Sequence, residues 1–227
     1  MKDFFARNIV TTSDGSHTLK LKHADEQYHS GFGAINESVH VFINNAFIYA
    51  CEPETNINVM EIGFGTGLNA LLTIDRALSL KANVFYTSFE PYPLAESEFN
   101  KLNYTQIVNF EKSQEYFMAM HNAEFEKEIN IDEGFRLLKL RHRIEEAELK
   151  ASFYNVVYFD AFAPDIQPEL WTISVFEKVF NSMQKGGVLT TYSAKGEIRR
   201  NLRTCGFKVE KLPGPVGKRE ITRAIKL

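Results

Sequence analysis

Glycine and carboxylate residues lie close together in the stretch VMEIGFGTGLNALLT, residues 59–73. Glu61 follows a short apolar run, and single residues separate the three glycines Gly63, Gly65 and Gly67. Glycine lets the backbone turn tightly and come close to a ligand. The pattern therefore predicts a binding turn between a buried strand and a helix.

The charge of Glu61 bears on which cofactor this turn binds. A dinucleotide-binding turn has the spacing GxGxxG and places a pyrophosphate at the helix N-terminus. Here the last position of that fingerprint is Leu68, and a carboxylate at Glu61 would repel a pyrophosphate. S-adenosylmethionine carries a sulfonium and an ammonium group and no phosphate. We therefore expect S-adenosylmethionine, with a nicotinamide-dependent oxidoreductase as the alternative.

Two further carboxylates, Glu90 and Asp160, follow apolar segments and are expected at the same edge of a sheet. Glu90 could accept hydrogen bonds from both ribose hydroxyls of an adenosine. Asp160 would face the donor methyl group. With Phe162 and Pro164 it resembles the acidic residue, proline and aromatic that amine methyltransferases place at the same strand end, so it could accept a proton from an amine or orient the amine. Phe162 and Trp171 could hold a base or the adenine between their rings.

The segment EQYHSGFGAINESVHVF, residues 26–42, is rich in polar side chains. We interpret it as a lid over the methionine part of the cofactor, which includes Tyr28 and Glu37. The alternative is a loop with a helix cap at Asn36 or Ser38. We expect no metal, because the spacings fit no standard site for the histidines His23, His29 and His40.

Basic residues are concentrated late in the chain. Residues 195–226 hold ten Lys and Arg and three Glu, a local charge of +7 in a chain whose net charge is −3. This asymmetry indicates a surface for a polyanion, with a solvated basic surface as the alternative. Beside an amine-methylating pocket it predicts contacts to a nucleic-acid backbone. The candidates are Ser193, Lys195, Arg199, Arg200, Lys218 and Arg219.

Strand and helix patterns alternate along most of the chain. Asp14-Gly15 between β-prone flanks predicts a hairpin over residues 8–21. Apolar residues at helical spacing predict helices over 37–48, 67–80, 93–102, 113–128, 172–183 and 196–204. Strands are predicted at 57–62, 83–90, 135–140, 153–162 and 187–193, and in the late segments FKVEKL and REITRAIKL, with a short helix as the alternative at 135–140.

This alternation predicts an α/β fold of the Rossmann-like kind, with a mostly parallel seven-stranded sheet. The last two strands are joined by PGPVGK without a helix, which suits one antiparallel strand. By analogy, this is the class I S-adenosylmethionine-dependent methyltransferase fold. We expect residues 1–50 to form a hairpin and helix extension beside the cleft, and 51–227 to form the methyltransferase domain.

The composition is that of an ordinary globular protein, with 44% apolar and 24% charged residues. The sequence contains no apolar run of the ~18 residues that a membrane helix needs. The first residues lack the apolar core of a secretory signal, and Cys51 and Cys205 do not suggest a disulfide framework. We expect a cytoplasmic protein without a membrane partner, and the sequence indicates no oligomeric state.

The chain resembles the methyltransferase domain of the MnmC-type enzymes, which complete 5-methylaminomethyl-2-thiouridine at the tRNA wobble position. The resemblance covers most of the chain. The matching segments are Tyr28-His29-Ser30, Glu37-Ser38-Val39-His40-Val41-Phe42, Glu61-Ile62-Gly63-Phe64-Gly65-Thr66-Gly67-Leu68-Asn69, Glu90 with Pro93-Leu94, Asp160-Ala161-Phe162-Ala163-Pro164, Pro168-Glu169-Leu170-Trp171 and Lys218-Arg219-Glu220.

The resemblance implies methyl transfer from S-adenosylmethionine to the aminomethyl nitrogen, with Asp160 as the catalytic residue and the tRNA anticodon loop as the partner. It implies no FAD, because a flavin oxidase domain would have to follow Glu220. Members often show Gly-Asp after the third strand, where this chain has LKLRHRIEE, so Glu145 or a backbone amide is expected at the adenine. The implied cofactor-binding residues are Tyr28, Glu37, Glu61, Gly63, Phe64, Gly65, Thr66, Gly67, Asn69, Glu90 and Asp160.

Two other classes of protein remain as alternatives. A polyamine aminopropyltransferase shares the fold, but its substrate favours an acidic pocket and no basic segment. A catalytically silent tRNA-binding module would not need Asp160 or the glycine turn.

Overall fold

The computed structural model describes residues 6–23 and 26–227. Ten β-strands are present in this part of the chain. They are β1 (Arg7–Thr11), β2 (His17–Leu21), β3 (Asn56–Ile62), β4 (Asn83–Phe89), β5 (Glu128–Asp132), β6 (Phe135–Leu140), β7 (Tyr154–Phe159), β8 (Met183–Thr191), β9 (Phe207–Pro213) and β10 (Glu220–Lys226).

Strands β3 to β10 form one sheet in the order β5-β6-β4-β3-β7-β8-β10-β9. The five strands β6, β4, β3, β7 and β8 run parallel. β10 lies between β8 and β9 and runs antiparallel to both. The chain leaves β3 towards β4 on one side and returns to β7 on the other, which places the topological switch point at the carboxyl ends of β3 and β7.

Helices cover both faces of the sheet. α1 (Ala34–Ser38) continues through a π-helical segment (Val39–Phe47) into α2 (Ile48–Ala50). We refer to 34–50 as the N-terminal helical segment. The remaining helices are α3 (Leu68–Leu80), α4 (Glu96–Phe99), α5 (Tyr104–Ile107), α6 (Ser113–Asn122), a 3₁₀ turn (Pro168–Trp171), α7 (Ile173–Ser182) and α8 (Gly196–Thr204).

The central strands are apolar on both faces because each face packs against helices. In β3, Val59 belongs to the core shared with the N-terminal helical segment, α3 and α6, whereas Met60 belongs to the core under α7 and α8. Both side chains are fully buried. Because side chains alternate between the two faces of a strand, one apolar strand contributes residues to the hydrophobic cores on both sides of the sheet.

The hairpin β1–β2 is a separate two-stranded sheet. Arg7 pairs with Leu21, and Thr11 with His17, across the turn at Asp14 and Gly15. The N-terminal helical segment buries Phe42 and Phe47 in the core that it shares with β3. The proposed boundary at residue 50 falls after α2 and before β3.

The expected fold class is confirmed, with local corrections. The helix predicted over 113–128 ends at Asn122, and β5 pairs with β6 as an eighth strand. Only Glu96–Phe99 is helical in the stretch predicted as a helix over 93–102. In the described part of the chain, no helix has the length and apolar character needed to cross a membrane.

Candidate active site

A cavity of about 300 Å³ opens at the carboxyl ends of β3, β4 and β7. Its walls come from the loop after β2, the turn after β3, the loops after β4, β6, β7 and β8, the N-terminal helical segment and the loop before β10. This is the edge of the sheet where the switch point predicts a ligand.

The glycine turn after β3 lies against the loop that carries Asp160. Gly63 has a φ of +95°, and a Cβ built there would stand 2.7 Å from the carbonyl oxygen of Asp160. Gly65 has a φ of +50°, and its Cβ would stand 3.1 Å from the Tyr28 ring. Gly63 requires glycine because its backbone conformation and the nearby carbonyl oxygen exclude a side chain. At Gly65 a side chain would strain the backbone and displace the Tyr28 ring. Both glycines line the cavity.

Glu90 lies in the cavity wall directly after β4. Its two carboxylate oxygens accept hydrogen bonds from the backbone N–H groups of Gly65, at 2.8 Å, and Tyr92, at 2.7 Å. Burial raises the pKa of Glu90, and these two hydrogen bonds oppose the rise. The backbone on either side thus fixes the carboxylate at the place expected for the ribose.

Glu61 is fully buried beneath the cavity and does not line it. Its carboxylate accepts hydrogen bonds from Ser88 Oγ at 2.9 Å and from Asn69 Nδ2 at 3.1 Å. Burial, and then the nearby charge of Asp160, raise its pKa well above the ordinary value. The expected direct contact of Glu61 with a cofactor is therefore corrected, since Asn69 separates Glu61 from the cavity.

Asp160 lines the cavity at the end of β7. Asn69 Nδ2 donates a hydrogen bond to its Oδ2 at 2.8 Å. Burial and then the negative charge of Glu37 raise the pKa of Asp160 to about 7, against the smaller opposing effects of Asn69 and Lys218. A carboxyl with this pKa can change its protonation state near neutral pH.

Glu37 ties the N-terminal helical segment to the loop before β10. Its Oε1 accepts from Lys218 Nζ, and its Oε2 accepts from the backbone N–H of Ser30 at 2.5 Å. The Lys218 ammonium also lies 4.3 Å from the centre of the Tyr192 ring. Tyr192 Oη donates to the carbonyl oxygen of Ala161 at 2.8 Å. These contacts fix the side of the cavity next to Asp160.

Tyr28 forms another wall of the cavity. Its ring contacts the ring of Phe162 edge to face, with the centroids 4.9 Å apart. Arg7 donates from Nε to the Tyr28 hydroxyl at 2.7 Å and from Nη2 to the Tyr92 carbonyl at 2.8 Å. Arg7 also forms an ion pair with Glu98 at 3.2 Å. The hairpin strand β1 thereby holds Tyr28 against the glycine turn.

Two buried acceptor oxygens in the cavity wall have no hydrogen-bond partner within the described ranges. They are Asn69 Oδ1 and Glu145 Oε2. Glu145 follows β6, and its other oxygen accepts from Arg143 at 3.0 Å. Buried acceptors are normally hydrogen-bonded. These two atoms are therefore the candidate acceptors in the cavity wall for the amino or ammonium groups of a ligand.

Most of the predicted site residues meet in this cavity. Its walls include Tyr28, Glu37, Gly63, Phe64, Gly65, Thr66, Asn69, Glu90, Asp160, Phe162 and Lys218. Gly67 is buried just outside the lining and precedes α3.

Several predicted substrate contacts lie elsewhere. Trp171 is buried in the core under α7, and its indole N–H donates to the Phe162 carbonyl at 2.9 Å, so its ring does not sandwich a ligand. Arg199 is buried and ion-paired with Glu220 at 2.7 Å, so it holds α8 to β10 and is not available to a phosphate. Ser193 is also buried and lines no described cavity.

The other basic candidates lie on the surface. Lys195 forms an exposed ion pair with Asp165 at 2.6 Å. Arg200 is exposed on α8, and Arg219 lines a second, shallower cavity.

Sequence reasoning missed several residues of the cavity wall, among them four that lie in irregular loops or at strand ends. Ile144 follows β6, Gln167 follows the Asp160 loop, Tyr92 follows Glu90, and Tyr192 follows β8. Only their position in the chain could have identified them, because any side chain just past the carboxyl end of a central strand is a candidate for ligand contact.

Comparison with known proteins identifies the family. The family described as S-adenosyl-L-methionine-dependent methyltransferase matches residues 103–227. An uncharacterized protein of Methanocaldococcus jannaschii is 30% identical over 96% of this chain and 59% of its own length. The tRNA 5-methylaminomethyl-2-thiouridine biosynthesis bifunctional protein MnmC of Leptospira interrogans is 30% identical over 87% of this chain and 32% of its own length.

The chain thus spans about three fifths of the first of these relatives and about a third of the second. Among solved structures, MnmC2 from Aquifex aeolicus is 29% identical, with a TM-score of 0.77 over 99% of this chain and 72% of that chain. Spermidine synthase from Thermotoga maritima shares the fold, with a TM-score of 0.61 over 100% of this chain and 71% of that chain, at 11% identity. The chain belongs to the S-adenosyl-L-methionine-dependent methyltransferases, and its resemblance to the methyltransferase domain of the MnmC-type enzymes is confirmed.

Proposed function

We propose that this chain transfers a methyl group from S-adenosylmethionine to the aminomethyl nitrogen of 5-aminomethyl-2-thiouridine at the wobble position of tRNA. The observation that carries the proposal is Asp160, a carboxyl with a pKa of about 7 at the wall of the cavity, beside Phe162. The MnmC relatives support the substrate class, since their names assign them to the biosynthesis of 5-methylaminomethyl-2-thiouridine in tRNA, which is the product of this methylation.

The cavity residues fit S-adenosylmethionine along its length. Glu90 would accept from the ribose hydroxyls, and Glu145 Oε2 would accept from the adenine amino group. Gly63 and Gly65 bring the turn close to Asp160 and Tyr28, which line the cavity, and Asn69 Oδ1 is an acceptor for the ammonium group. We propose that Glu145 makes the contact with the adenine that the Gly-Asp pair would make in other members of the family.

S-adenosylmethionine supplies an electrophilic methyl group on a cationic sulfur. For the amine to act as a nucleophile, its nitrogen must present a free lone pair. Asp160 would orient the amine and take the proton that the nitrogen releases. Glu37 and Lys218 fix the neighbouring wall of the cavity, so that the Asp160 carboxyl group is held in position before the substrate binds.

The target base would lie on the side of the cavity formed by Phe162, Tyr28 and Tyr192. The wobble base is unpaired in the anticodon loop, so turning it into a pocket costs less than opening a duplex. Aromatic contact with Phe162 would contribute ~1–3 kcal/mol per base. We further propose residues 1–50 as the extension that completes this cavity and 51–227 as the methyltransferase domain.

The test is incorporation of a tritiated methyl group into two tRNA pools that differ only at the wobble base. One pool carries the aminomethyl group and the other carries the carboxymethylaminomethyl group. We expect incorporation into the first pool alone, because Asp160 and Glu37 would repel the extra carboxylate. Comparable incorporation into both pools would contradict this substrate, and incorporation into neither would contradict the function.

A further inference from the structure

A second cavity of about 490 Å³ adjoins the candidate active site. Tyr192 and Lys218 line both cavities, so the two share a wall. The other lining residues of the second cavity are Ala194, Lys211, Arg219 and Glu220. A group bound there would lie directly beside the pocket proposed for the target base.

The second cavity holds the cations Lys211 and Arg219, which act on the carboxylate of Glu220 through space without forming an ion pair with it. Within residues 6–23 and 26–227, the ion pairs include neither Lys211 nor Arg219, and both side chains are exposed. The carboxylate of Glu220 is already engaged by Arg199, at 2.7 Å. Lys218 is engaged by Glu37. Lys211 and Arg219 therefore remain available to an anion from outside the chain.

An exposed aromatic ring packs against the loop that carries Arg219. Phe32 is 54% exposed, and it packs against Gly217, where a built Cβ would stand 2.1 Å from its ring. Gly217 immediately precedes Lys218 and Arg219. Available cations beside an exposed ring are the combination that binds single-stranded nucleic acid, since cations take the phosphates and the ring takes a base.

We propose that the second cavity and Phe32 form a subsite for the RNA nucleotide adjoining the target base. Lys211 and Arg219 bind its phosphate, and the exposed face of Phe32 stacks on its base. Tyr192 and Lys218 separate this neighbour from the target nucleotide. The proposal rests on the proposed function for the identity of the RNA, and it adds a site for the strand that carries the target.

The two parts of the subsite predict different salt behaviour. We would titrate a fluorescent, unmodified anticodon stem-loop RNA against the whole chain across a range of salt concentrations. In the Lys211→Ala, Arg219→Ala double variant, the slope of log affinity against log salt should decrease by about 0.7 for each phosphate that the protein no longer neutralises. In Phe32→Ala, the affinity should decrease about five- to a hundredfold with the slope unchanged.

Matched controls come from exposed residues at the amino ends of the parallel strands, opposite the carboxyl ends where the active-site cavity opens. Lys185→Ala removes an exposed cation at the start of β8, and Leu78→Ala removes an exposed apolar side chain near the end of α3. Both controls should bind RNA as the parent does. An unchanged slope in the double variant, or equal decreases in affinity in test and control variants, would overturn the subsite.

Methyl transfer separates this proposal from the proposed function. If the parent methylates aminomethyl tRNA while the double variant and Phe32→Ala bind RNA like the parent, the function stands and the subsite is wrong. If the parent transfers no methyl group to either tRNA pool, yet the variants show the expected slope and affinity changes, the RNA subsite stands and the assigned reaction is wrong.

Discussion

Asp160 and Glu61 lie on either side of Asn69, which donates hydrogen bonds to both. Glu61 is fully enclosed, which raises its pKa well above the ordinary value and confines it to a structural role. Asp160 reaches the cavity, and its pKa of about 7 leaves it free to gain or lose a proton near neutral pH. One amide side chain thus positions two acids whose different exposure gives them different roles.

Asp160→Asn tests the assigned proton acceptor. The amide keeps the size of the side chain but cannot take a proton, so methyl transfer should decrease by about 10²–10⁴. Affinity for S-adenosylhomocysteine should change little, because that product carries no positive sulfur for Asp160 to attract. Single-turnover kinetics and calorimetry measure the two quantities. Near-parental transfer at saturating substrate would rule out this role.

The same substitution should also change how stability depends on pH. Burial raises the pKa of Asp160 from its ordinary value of 3.8 to about 7, so in this window the folded state holds a proton that the unfolded state releases. The contribution of Asp160 to the free energy of unfolding therefore decreases as pH rises from ~4 to ~7. Above pH ~7, Asp160→Asn should melt at a higher temperature than the parent, and this difference in melting temperature should be smaller near pH ~4. Thermal denaturation at several pH values checks this, and a gain that does not vary with pH would refute it.

Glu145→Ala tests the assigned adenine contact. Loss of an acceptor for the adenine amino group should weaken S-adenosylhomocysteine binding by ~1.5–3 kcal/mol. Binding of the S-inosyl analogue, which lacks that amino group, should change little in the same variant. Glu148→Ala, an exposed acid in the same loop, is the control. Equal effects of Glu145→Ala on the two ligands would remove Glu145 from the adenine site.

At the scale of elements, the turn between β3 and α3 contacts Tyr28, Glu90 and Asp160, and so joins three walls of the cavity.

Gly65→Ala should weaken cofactor binding, because the new Cβ would stand 3.1 Å from the Tyr28 ring and displace it. Gly186→Ala is the matched control, since Gly186 also has a positive φ, of +81°, but has no neighbouring atom within 4 Å. Both variants should lose ~1–2 kcal/mol of stability from backbone strain. If calorimetry with S-adenosylhomocysteine shows the same loss of affinity in both, crowding at Tyr28 is not the cause.

Elements with strong local patterns could be predicted from the sequence. Elements whose structure depends on contacts with distant residues were predicted wrongly. β3 and β7 are apolar runs followed by carboxylates, so their ends could be assigned to the site. β5 has the sequence EINID, which continues a helical-looking stretch and becomes a strand only because β6 offers an open edge. Burial of Trp171 and Arg199 could not be predicted, because it depends on packing across the sheet and not on neighbours in sequence.

At the scale of the whole molecule, residues far apart in sequence meet around one cavity. Arg7 in β1 reaches Tyr28, Glu98 and the Tyr92 carbonyl, 85 residues away. Arg7→Ala should therefore weaken S-adenosylhomocysteine binding and lower the melting temperature, since it frees both Tyr28 and the loop after Glu90. Hydrogen bonds to charged groups contribute ~1.5–3 kcal/mol each. Calorimetry and thermal denaturation measure both effects, with Arg136→Ala, which removes an exposed ion pair on β6, as the control. Loss of stability without loss of affinity would confine Arg7 to a structural role.

The position of β10 has a consequence for the order in which the chain can fold during synthesis. β9 precedes β10 along the chain but joins the sheet only through β10, which fills the gap beside β8. A ribosome adding ~5–20 residues per second needs on the order of seconds to go from the end of β8 to β10. Throughout that interval the nascent sheet has an unpaired edge at β8, a surface to which other strands could add. Chaperone binding, or slow translation before β10, would therefore affect the yield of folded protein most strongly at this step.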